Sequence, residues 1–183
     1  MDADNEDVIL VNECLDGNGR VYEQIVEKYY KVVYRLTAKF VRNTDDAEEI
    51  TQSVFVKAYE NLRSFNPKYK FFSWLYRIAV NEAINFKKKS SYTELLEIEP
   101  NSVSPEPAAQ LEASQLSADI HNALLELDLI YRIPIVLQHF MGYSYKELSF
   151  VLDVPEKTVK SRLFTGRQLL KDKLIKYKAI IND

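Results

Sequence analysis

The stretch from Ser144 to Gln168 constrains the fold more than any other part of the chain, because it indicates two helices joined by a tight turn. Ser144 and Glu147 have the spacing of a capping box, which predicts that a helix begins there. Asp153-Val154-Pro155 then ends that helix, since proline lacks an N–H and biases the preceding residue away from helical backbone. Proline is tolerated at the start of a following helix. A short helix, a small turn and a longer helix are therefore predicted.

The longer helix is predicted to have one apolar and one cationic side. Val159, Leu163, Leu170 and Leu174 recur at i, i+4, i+11 and i+15, as expected for a stripe that faces a core. The polar and cationic residues that mostly lie off this stripe are Lys157, Lys160, Ser161, Phe164, Arg167 and Lys171. This pattern is typical of a helix-turn-helix that reads DNA. Helix pairs with a basic outer side also occur without that role, so the stretch alone leaves both interpretations open.

Charge is distributed unevenly along the 183 residues, whose formal net charge is −3. Residues 1–16 carry six acids and no base, and residues 91–116 carry five acids and no base. Residues 20–90 carry fourteen bases and eight acids, and residues 117–183 carry ten bases and eight acids. Because counterion release acts locally, a basic face is able to bind DNA although the total charge is negative. The acidic segments are expected to suppress indiscriminate binding.

Apolar periodicity predicts an all-α protein with two small helical domains joined by an acidic linker, the C-terminal one a helix-turn-helix. The expected helices span about 6–16, 21–42, 45–63, 71–89 and 116–127. Pro134 is expected to open a further helix. Residues 91–116 contain four serines, three prolines and five acids, which is typical of an extended linker. The first domain is therefore predicted at 1–90 and the second at 117–183.

Several classes of function find no support in the sequence. The single cysteine, Cys14, excludes a disulfide framework and a cysteine-based metal site. His121 and His139 lie far apart in predicted helices, and nothing resembles a nucleophile, a metal cluster or a phosphate-cradling loop. We therefore expect no enzyme activity, no cofactor and no metal. No stretch approaches the ~20 apolar residues of a membrane span, so we expect a soluble, cytoplasmic protein without membrane insertion.

Two segments in the same order resemble the conserved domains of bacterial RNA polymerase sigma factors of the sigma-70 family. The runs 22–65 and 71–89 resemble the second domain, and GYSYKELSFVLDVPEKTVKSRLFTGRQLLK at 142–171 looks like the fourth. The short chain, with only a linker between these parts, is similar to the extracytoplasmic-function group. The resemblance implies a transcription initiation factor that binds core RNA polymerase, directs it to specific promoters and promotes promoter melting.

The resemblance places a polymerase-binding surface at the acidic start of the 45–63 helix. Core RNA polymerase is expected to be contacted through its clamp coiled coil and its flap. The residues that match the clamp-binding motif are Asp45, Asp46, Glu48, Glu49, Gln52 and Phe55. Such a carboxylate-rich, partly apolar face suits a basic partner helix. The same carboxylates also suit the positive end of their own helix dipole, and the two roles are compatible.

The resemblance also implies that the loop before the 71–89 helix, together with that helix, melts and captures the minus-ten promoter element. Capture of unpaired DNA requires aromatic surfaces for the bases and cations for the strand. The matching residues are Tyr69, Lys70, Phe71, Ser73, Trp74, Arg77, Asn81, Lys87 and Lys88. Of these, Lys70, Phe71, Arg77 and Asn81 are the strongest candidates. Phe72 is expected in the core, and Trp74 suits either role.

The helix-turn-helix is implied to bind the minus-thirty-five element in the major groove. The residues expected there are Lys157, Thr158, Lys160, Ser161, Arg162, Phe164, Arg167 and Lys171. Arg162 and Lys171 are assigned to phosphates, which position the protein, whereas base contacts discriminate sequence. Relatives often have a basic residue and alanine where this chain has Thr165 and Gly166. The glycine is expected to cost about 1 kcal/mol of helix propensity.

Two further expectations concern partners and the linker. The resemblance implies an anti-sigma factor that covers the polymerase-binding and DNA-binding faces. In relatives the linker threads toward the polymerase active centre, and the acidic strand 94–112 would fit such a channel. A plain solvated tether explains this segment equally well.

Two alternative functions remain open at this level. A stand-alone helix-turn-helix regulator is one, although it leaves the first ninety residues unexplained. A sigma-like protein-interaction module without a DNA role is the other. The sigma-factor interpretation expects the two cation-faced bodies to be held apart by the linker.

Overall fold

In the described part of the chain, the stretches with helical spacing of apolar residues form α-helices. The computed structural model describes residues 3–94 and 113–181, with side chains described from 5 to 89 and from 118 to 175. Its α-helices are α1 Ala3–Leu15, α2 Tyr22–Thr37, α3 Thr44–Glu60, α4 Phe71–Glu94, α5 Ala113–Leu125, α6 Leu129–Met141, α7 Tyr145–Leu152 and α8 Glu156–Ile181. Within these ranges no helix is both long and apolar enough to cross a bilayer. The proposed path of 94–112 lies almost wholly outside the described residues.

Helices α1 to α4 form an N-terminal module whose centre is α3. Helix α3 packs against both α2 and α4, and the side chains that it buries at helical spacing include Ile50 and Val54. The hydroxyls of Thr37 and Thr51 lie 2.9 Å apart in the interior, and both donate to the carbonyl of Ala47. These bonds satisfy the buried hydroxyls and fix α3 against the end of α2. The opposite side of α3 is thereby held toward solvent.

Helix α1 is tied to α2 by a buried carboxylate. Asp7 accepts a hydrogen bond of 2.5 Å from the Tyr29 hydroxyl and one of 2.8 Å from the Lys28 ammonium. A buried charge is tolerated when it is both paired and hydrogen-bonded, and Asp7 meets both conditions. The acidic N-terminal helix is therefore docked on the module.

Helices α5 to α8 form a C-terminal module that contains the predicted helix-turn-helix. The capping box is present, with Ser144 and Glu147 bonded reciprocally at the start of α7. Asp153 ends α7 with a left-handed backbone (φ 53°), a conformation that aspartate tolerates better than most residues. Helix α8 begins directly after Pro155. The predicted short helix, turn and longer helix are confirmed.

The expectation that Pro134 opens a helix is wrong, because α6 begins five residues earlier. Asp128 caps α6 by accepting a hydrogen bond from the Ile130 backbone N–H at 3.0 Å. Leu129 and Ile133 are buried on the helix interior. The cap and this burial outweigh the unfavourable effect of an internal proline, about 3 kcal/mol.

The two modules are in contact in this structure, contrary to the expectation that they are held apart. Helix α4 packs against α7. The buried guanidinium of Arg132 in α6 donates to the Phe40 carbonyl, at 2.5 Å, and also to the carbonyls of Leu125 and Leu127. Burial lowers the pKa of Arg132 to about 10. The segment between the two modules is also shorter than the predicted linker 91–116, since α4 extends to residue 94 and α5 starts at residue 113.

Candidate polymerase and nucleic-acid interfaces

Helix α3 presents an exposed face that is acidic in its first half. Asn43 caps the helix by accepting a hydrogen bond of 3.0 Å from the Asp45 backbone N–H. The predicted residues Asp45, Glu48, Glu49 and Gln52 are exposed, and Asp46 is half-buried. Partial burial and the neighbouring carboxylates of Glu49 and Asp45 raise the pKa of Asp46. A cationic partner would relieve this mutual repulsion.

Phe55, which is also predicted to bind polymerase, does not lie on this exposed face. Phe55 is 6% exposed and packs against Tyr30, with ring centroids 6.0 Å apart, so it belongs to the core of the module. Val56 is 58% exposed and Tyr59 is 52% exposed, and both continue the exposed face one and two turns beyond Gln52. The signal that could have identified them was the helical spacing i, i+4, i+7 from Gln52.

A cleft of about 600 Å³ beside α4 brings together four predicted minus-ten residues, Tyr69, Trp74, Arg77 and Asn81. Tyr69 and Asn81 are exposed, Arg77 is half-buried and Trp74 is buried. Amides from Asn61, Asn66 and Asn85 also line the cleft. An aromatic wall, a guanidinium and several amides can stack on a base and donate to its edge or to a phosphate. The asparagines were not identified from the sequence, because they come from three separate elements.

Two predicted minus-ten residues face the interior instead. Phe71 is 1% exposed and contacts Tyr29 and Phe65, with centroid distances of 5.6 and 5.3 Å. The hydroxyl of Ser73 is also buried and lies 3.4 Å from that of Tyr143. The expectation that Phe71 meets a base is not supported by its position. Phe72, expected in the core, is only partly buried.

Exposed cations precede α4 and recur in its second half. Lys70, directly before α4, is exposed, as are Lys87 and Lys88 in the second half of the helix. Lys70 contributes to lowering the pKa of Glu147, whose largest cause is hydrogen bonding to Ser144. In sequence, these cations therefore flank the α4 residues that line the cleft.

Helix α8 presents a second, separate polar face. Leu163 and Val159 are buried against the module, and the exposed residues at i, i+3, i+4, i+7 and i+14 are Lys157, Lys160, Ser161, Phe164 and Lys171. Phe164 is 67% exposed. Arg167 is exposed beside this face and donates to the Gln138 side chain at 2.5 Å. Gln168 at i+11 completes the face and was not predicted, although a glutamine amide suits an adenine edge.

Two predicted residues of this helix lie off the exposed face. Thr158 and Arg162 are half-buried on its flank, where a phosphate at the groove edge is the natural contact. Gly166 is buried on the opposite side, and a Cβ there would lie 2.9 Å from Ile135 Cδ1. The glycine therefore allows α8 to approach α6 closely, which its helix propensity alone does not explain.

Comparison with known families and proteins agrees with this arrangement. The family model described as Sigma-70 region 2 matches residues 25–92, and that described as Sigma-70, region 4 matches residues 117–170. Among curated proteins, the chain is 33% identical to the ECF RNA polymerase sigma factor SigW of Bacillus subtilis (strain 168), covering 90% of this chain and 94% of that protein. It is 29% identical to the ECF RNA polymerase sigma-E factor of Escherichia coli (strain K12), covering 92% and 94%.

Solved structures share the fold. CnrH, in complex with the cytosolic domain of CnrY, aligns with a TM-score of 0.65 at 26% identity, covering 91% of this chain and 95% of that one. The sigma factor RpoE of Bartonella quintana, in complex with the anti-sigma factor NepR, aligns with a TM-score of 0.67 at 23% identity, covering 84% and 96%.

A region 2 module followed by a region 4 helix-turn-helix defines a transcription initiation factor of the sigma-70 class. More particularly, the chain belongs to the extracytoplasmic-function sigma factors of RNA polymerase. These proteins bind core RNA polymerase and direct it to promoters.

Proposed function

We propose that three surfaces of the chain share the tasks of binding polymerase and recognising the promoter. The exposed face of α3 docks on the polymerase clamp, the cleft beside α4 captures the minus-ten strand, and the polar face of α8 reads the minus-thirty-five element. This assigns residues 1–90 and 117–183 to the two promoter elements. The observation that carries the proposal is the convergence of Tyr69, Trp74, Arg77 and Asn81 on one cleft.

The acidic and apolar composition of α3 supports a basic helical partner. Exposed carboxylates lie in its first half and Val56 and Tyr59 in its second, and such a surface combines electrostatic steering with apolar contact. Glu49→Lys is expected to abolish retention on immobilised core RNA polymerase. Glu27→Lys, the same charge change at an exposed position of α2, is the matched control and should retain binding.

Run-off transcription with core RNA polymerase on a genomic promoter library tests the complete proposal. The wild-type chain is expected to yield defined start sites, and Asn81→Ala and Lys160→Ala should each reduce their yield. A stand-alone regulator predicts that Glu49→Lys leaves promoter binding and transcription unchanged. A protein-interaction module predicts that Asn81→Ala and Lys160→Ala have no effect. Either result would overturn the assignment of the surfaces.

An anti-sigma partner is also proposed. CnrH, which is 26% identical, was solved with the cytosolic domain of CnrY, and this supports a protein partner for the exposed faces of α3 and α8. Such a partner would withhold both faces from polymerase and DNA. Co-purification of the tagged chain from its natural host, followed by competition with core RNA polymerase, tests it.

A further inference from the structure

A second cavity, of about 350 Å³, lies between the two modules. Most of its lining comes from the end of α2 and the turn that leads into α3, and His121 of α5 contributes from the C-terminal module. It shares no lining residue with the cleft beside α4. Concavities of this size are typical of sites for small ligands, so the chemistry of the lining indicates what this one would hold.

The charged side chains that line this cavity are basic. Arg35 and Arg42 are exposed, Lys39 is half-buried, and all three belong to the lining together with His121. Within the described residues no carboxylate lines the cavity, and none of these four side chains forms an ion pair. Lys39 instead places its ammonium 4.0 Å from the centre of the Phe140 ring. The cavity therefore has an excess of positive charge.

The cations around the cavity are close enough to repel one another. Burial, followed by the charges of Lys39 and Arg132, lowers the pKa of His121. Burial, followed by the charge of Arg42, lowers the pKa of Arg132, whereas Asp128 acts in the opposite direction. Each of these shifts is in the direction expected for a base that lacks a neighbouring anion. Repulsion thus joins groups from α2, α5 and α6.

Arg132 is satisfied only in part by its own module and its neighbour. Its two terminal nitrogens donate to three backbone carbonyls, which accept hydrogen bonds but do not neutralise the charge. Its buried Nε has no hydrogen-bond partner. A buried donor without a partner is unfavourable in a folded protein. The junction between the modules is therefore short of negative charge and of acceptors.

We propose that this cavity binds a small anion that carries a diphosphate or polyphosphate group. Guanidinium groups bind phosphate oxygens in pairs of parallel hydrogen bonds, and Arg35 and Arg42 supply two of them. Lys39 and His121 are half-buried, and a small ligand reaches them in a concavity more readily than a duplex backbone does. The site is separate from the three surfaces that are proposed for polymerase and promoter.

Two sources of the diphosphate group are distinguished by the rest of the lining. Tyr34 and Val41 add an aromatic ring and an apolar side chain beside the cations, and both suit contact with a nucleoside. Inorganic pyrophosphate would use the cations alone. ADP should therefore bind more tightly than pyrophosphate if the ligand is a nucleotide, and no more tightly if it is an inorganic phosphate.

The first test is isothermal titration calorimetry of the full-length chain with sodium pyrophosphate and, separately, with ADP in phosphate-free buffer. Arg42→Gln is expected to weaken binding of pyrophosphate about tenfold, because it removes charge-assisted hydrogen bonds to the phosphate. Arg20→Gln is the matched control, since Arg20 is exposed and lies before the other end of α2. Its affinity should stay within about twofold of wild type. Equal losses in the two variants would overturn the proposal, as would absence of binding to the wild-type chain.

Nuclear magnetic resonance of the histidine side chains locates the bound anion. The chain has two histidines, and His139→Gln assigns their signals. Saturating pyrophosphate should shift the signal of His121 and raise its pKa toward the ordinary value of about 6.5, because a nearby anion favours the charged imidazole. His139 is exposed and lies outside the cavity lining, so its signal should not respond. An equal response of both signals would show that the anion binds elsewhere.

Stability in the absence of phosphate distinguishes a binding role of Arg42 from a structural one. Because Arg42 is exposed and repels Arg132, Arg42→Gln should have a urea midpoint equal to or above that of wild type. Pyrophosphate should then raise the midpoint of wild type, by mass action, and leave that of Arg42→Gln nearly unchanged. A lower midpoint for Arg42→Gln in phosphate-free buffer would assign the residue to the fold and overturn the proposed site.

Discussion

Gly166 shows how a single missing methyl group positions the DNA-facing helix. A Cβ at this residue would lie 2.9 Å from Ile135 Cδ1, 3.1 Å from Tyr131 Cβ and 3.3 Å from the Tyr131 carbonyl oxygen. Alanine would gain about 1 kcal/mol of helix propensity, but overpacking a closed contact costs about 1–3 kcal/mol. Ile135 Cδ1 is the end of a side chain that can turn away, but Tyr131 Cβ and its carbonyl oxygen are fixed by α6, so steric repulsion is expected to dominate.

We therefore expect Gly166→Ala to lower the free energy of unfolding by about 1 kcal/mol. The measurement is the midpoint of urea denaturation, compared between variants whose denaturant dependence of the unfolding free energy is the same. Gln168→Ala, an exposed change two residues away, is the control and should shift stability by less than about 0.5 kcal/mol. A higher midpoint for Gly166→Ala would show that α6 yields to the added methyl group.

Phe71 and Tyr69 lie two residues apart but have opposite surroundings. Phe71 is 1% exposed, whereas Tyr69 is 48% exposed. Phe71→Ala is expected to destabilise the protein by about 3–5 kcal/mol through loss of buried contacts and creation of a cavity. Tyr69→Ala should change stability by less than about 1.5 kcal/mol, since it loses mainly one ring contact.

Thermal unfolding of both variants, together with single-strand binding of those that fold, distinguishes a role in the core from a role in DNA binding. Tyr69→Ala should fold and should bind single-stranded DNA more weakly than wild type. A stable Phe71→Ala variant that loses strand binding would restore the original assignment of Phe71 to DNA.

At the scale of elements, α7 depends on its cap because it contains only eight residues. The Glu147 carboxylate accepts hydrogen bonds from the Ser144 backbone N–H, at 2.8 Å, and from its hydroxyl, at 2.7 Å. These bonds lower the pKa of Glu147. The group therefore contributes stability above its ordinary pKa, and this contribution is lost as the pH falls through the lowered folded-state value.

Ser144→Ala is expected to cost about 1 kcal/mol of unfolding free energy at pH 7, and less at pH 3, because a larger fraction of Glu147 is protonated there than at pH 7. Urea denaturation at both pH values is the measurement. Ser161→Ala, at an exposed position within α8, is the control and should show no such pH dependence. An effect of Ser144→Ala that is equal at both pH values would rule out a contribution from the Glu147 charge.

Elements were predicted well where the signal was local. The cap at Ser144, the break at Asp153 and the acidic first turn of α3 depend on residues within one or two turns. The start of α6 was wrongly predicted at Pro134, because that start is decided by burial of the first turn as well as by the Asp128 cap. The family resemblance also placed Phe55 on the polymerase-binding face, although its ring packs on Tyr30 of another helix.

At the scale of the whole molecule, His121 lies close to cations from both modules. Burial, followed by the charges of Lys39 and Arg132, lowers the pKa of this histidine. The unfolded chain therefore binds the proton more readily than the folded one. Stability is unaffected well above pH 6.5, and it falls as the pH drops below this ordinary value.

We expect the urea midpoint to decrease between pH 7.5 and pH 5.5, and His121→Gln to reduce that decrease. The exposed His139 provides the matched control, because His139→Gln should retain the wild-type pH dependence. If the urea midpoint of His121→Gln falls with pH as steeply as that of wild type, other groups cause the loss of stability.

The sequence by itself determined the all-helical fold, the helix-turn-helix, the acidic face of α3 and the family. These depend on residue type and on spacing within one helix or turn, which are visible without a partner. Tertiary structure alone decided that Phe71 is interior, that Gly166 lets two helices approach, and that Phe150 and Asp153 lie on the cleft beside α4. Each of these joins residues distant in sequence, and their contacts depend on how the helices pack rather than on the pattern within any one of them.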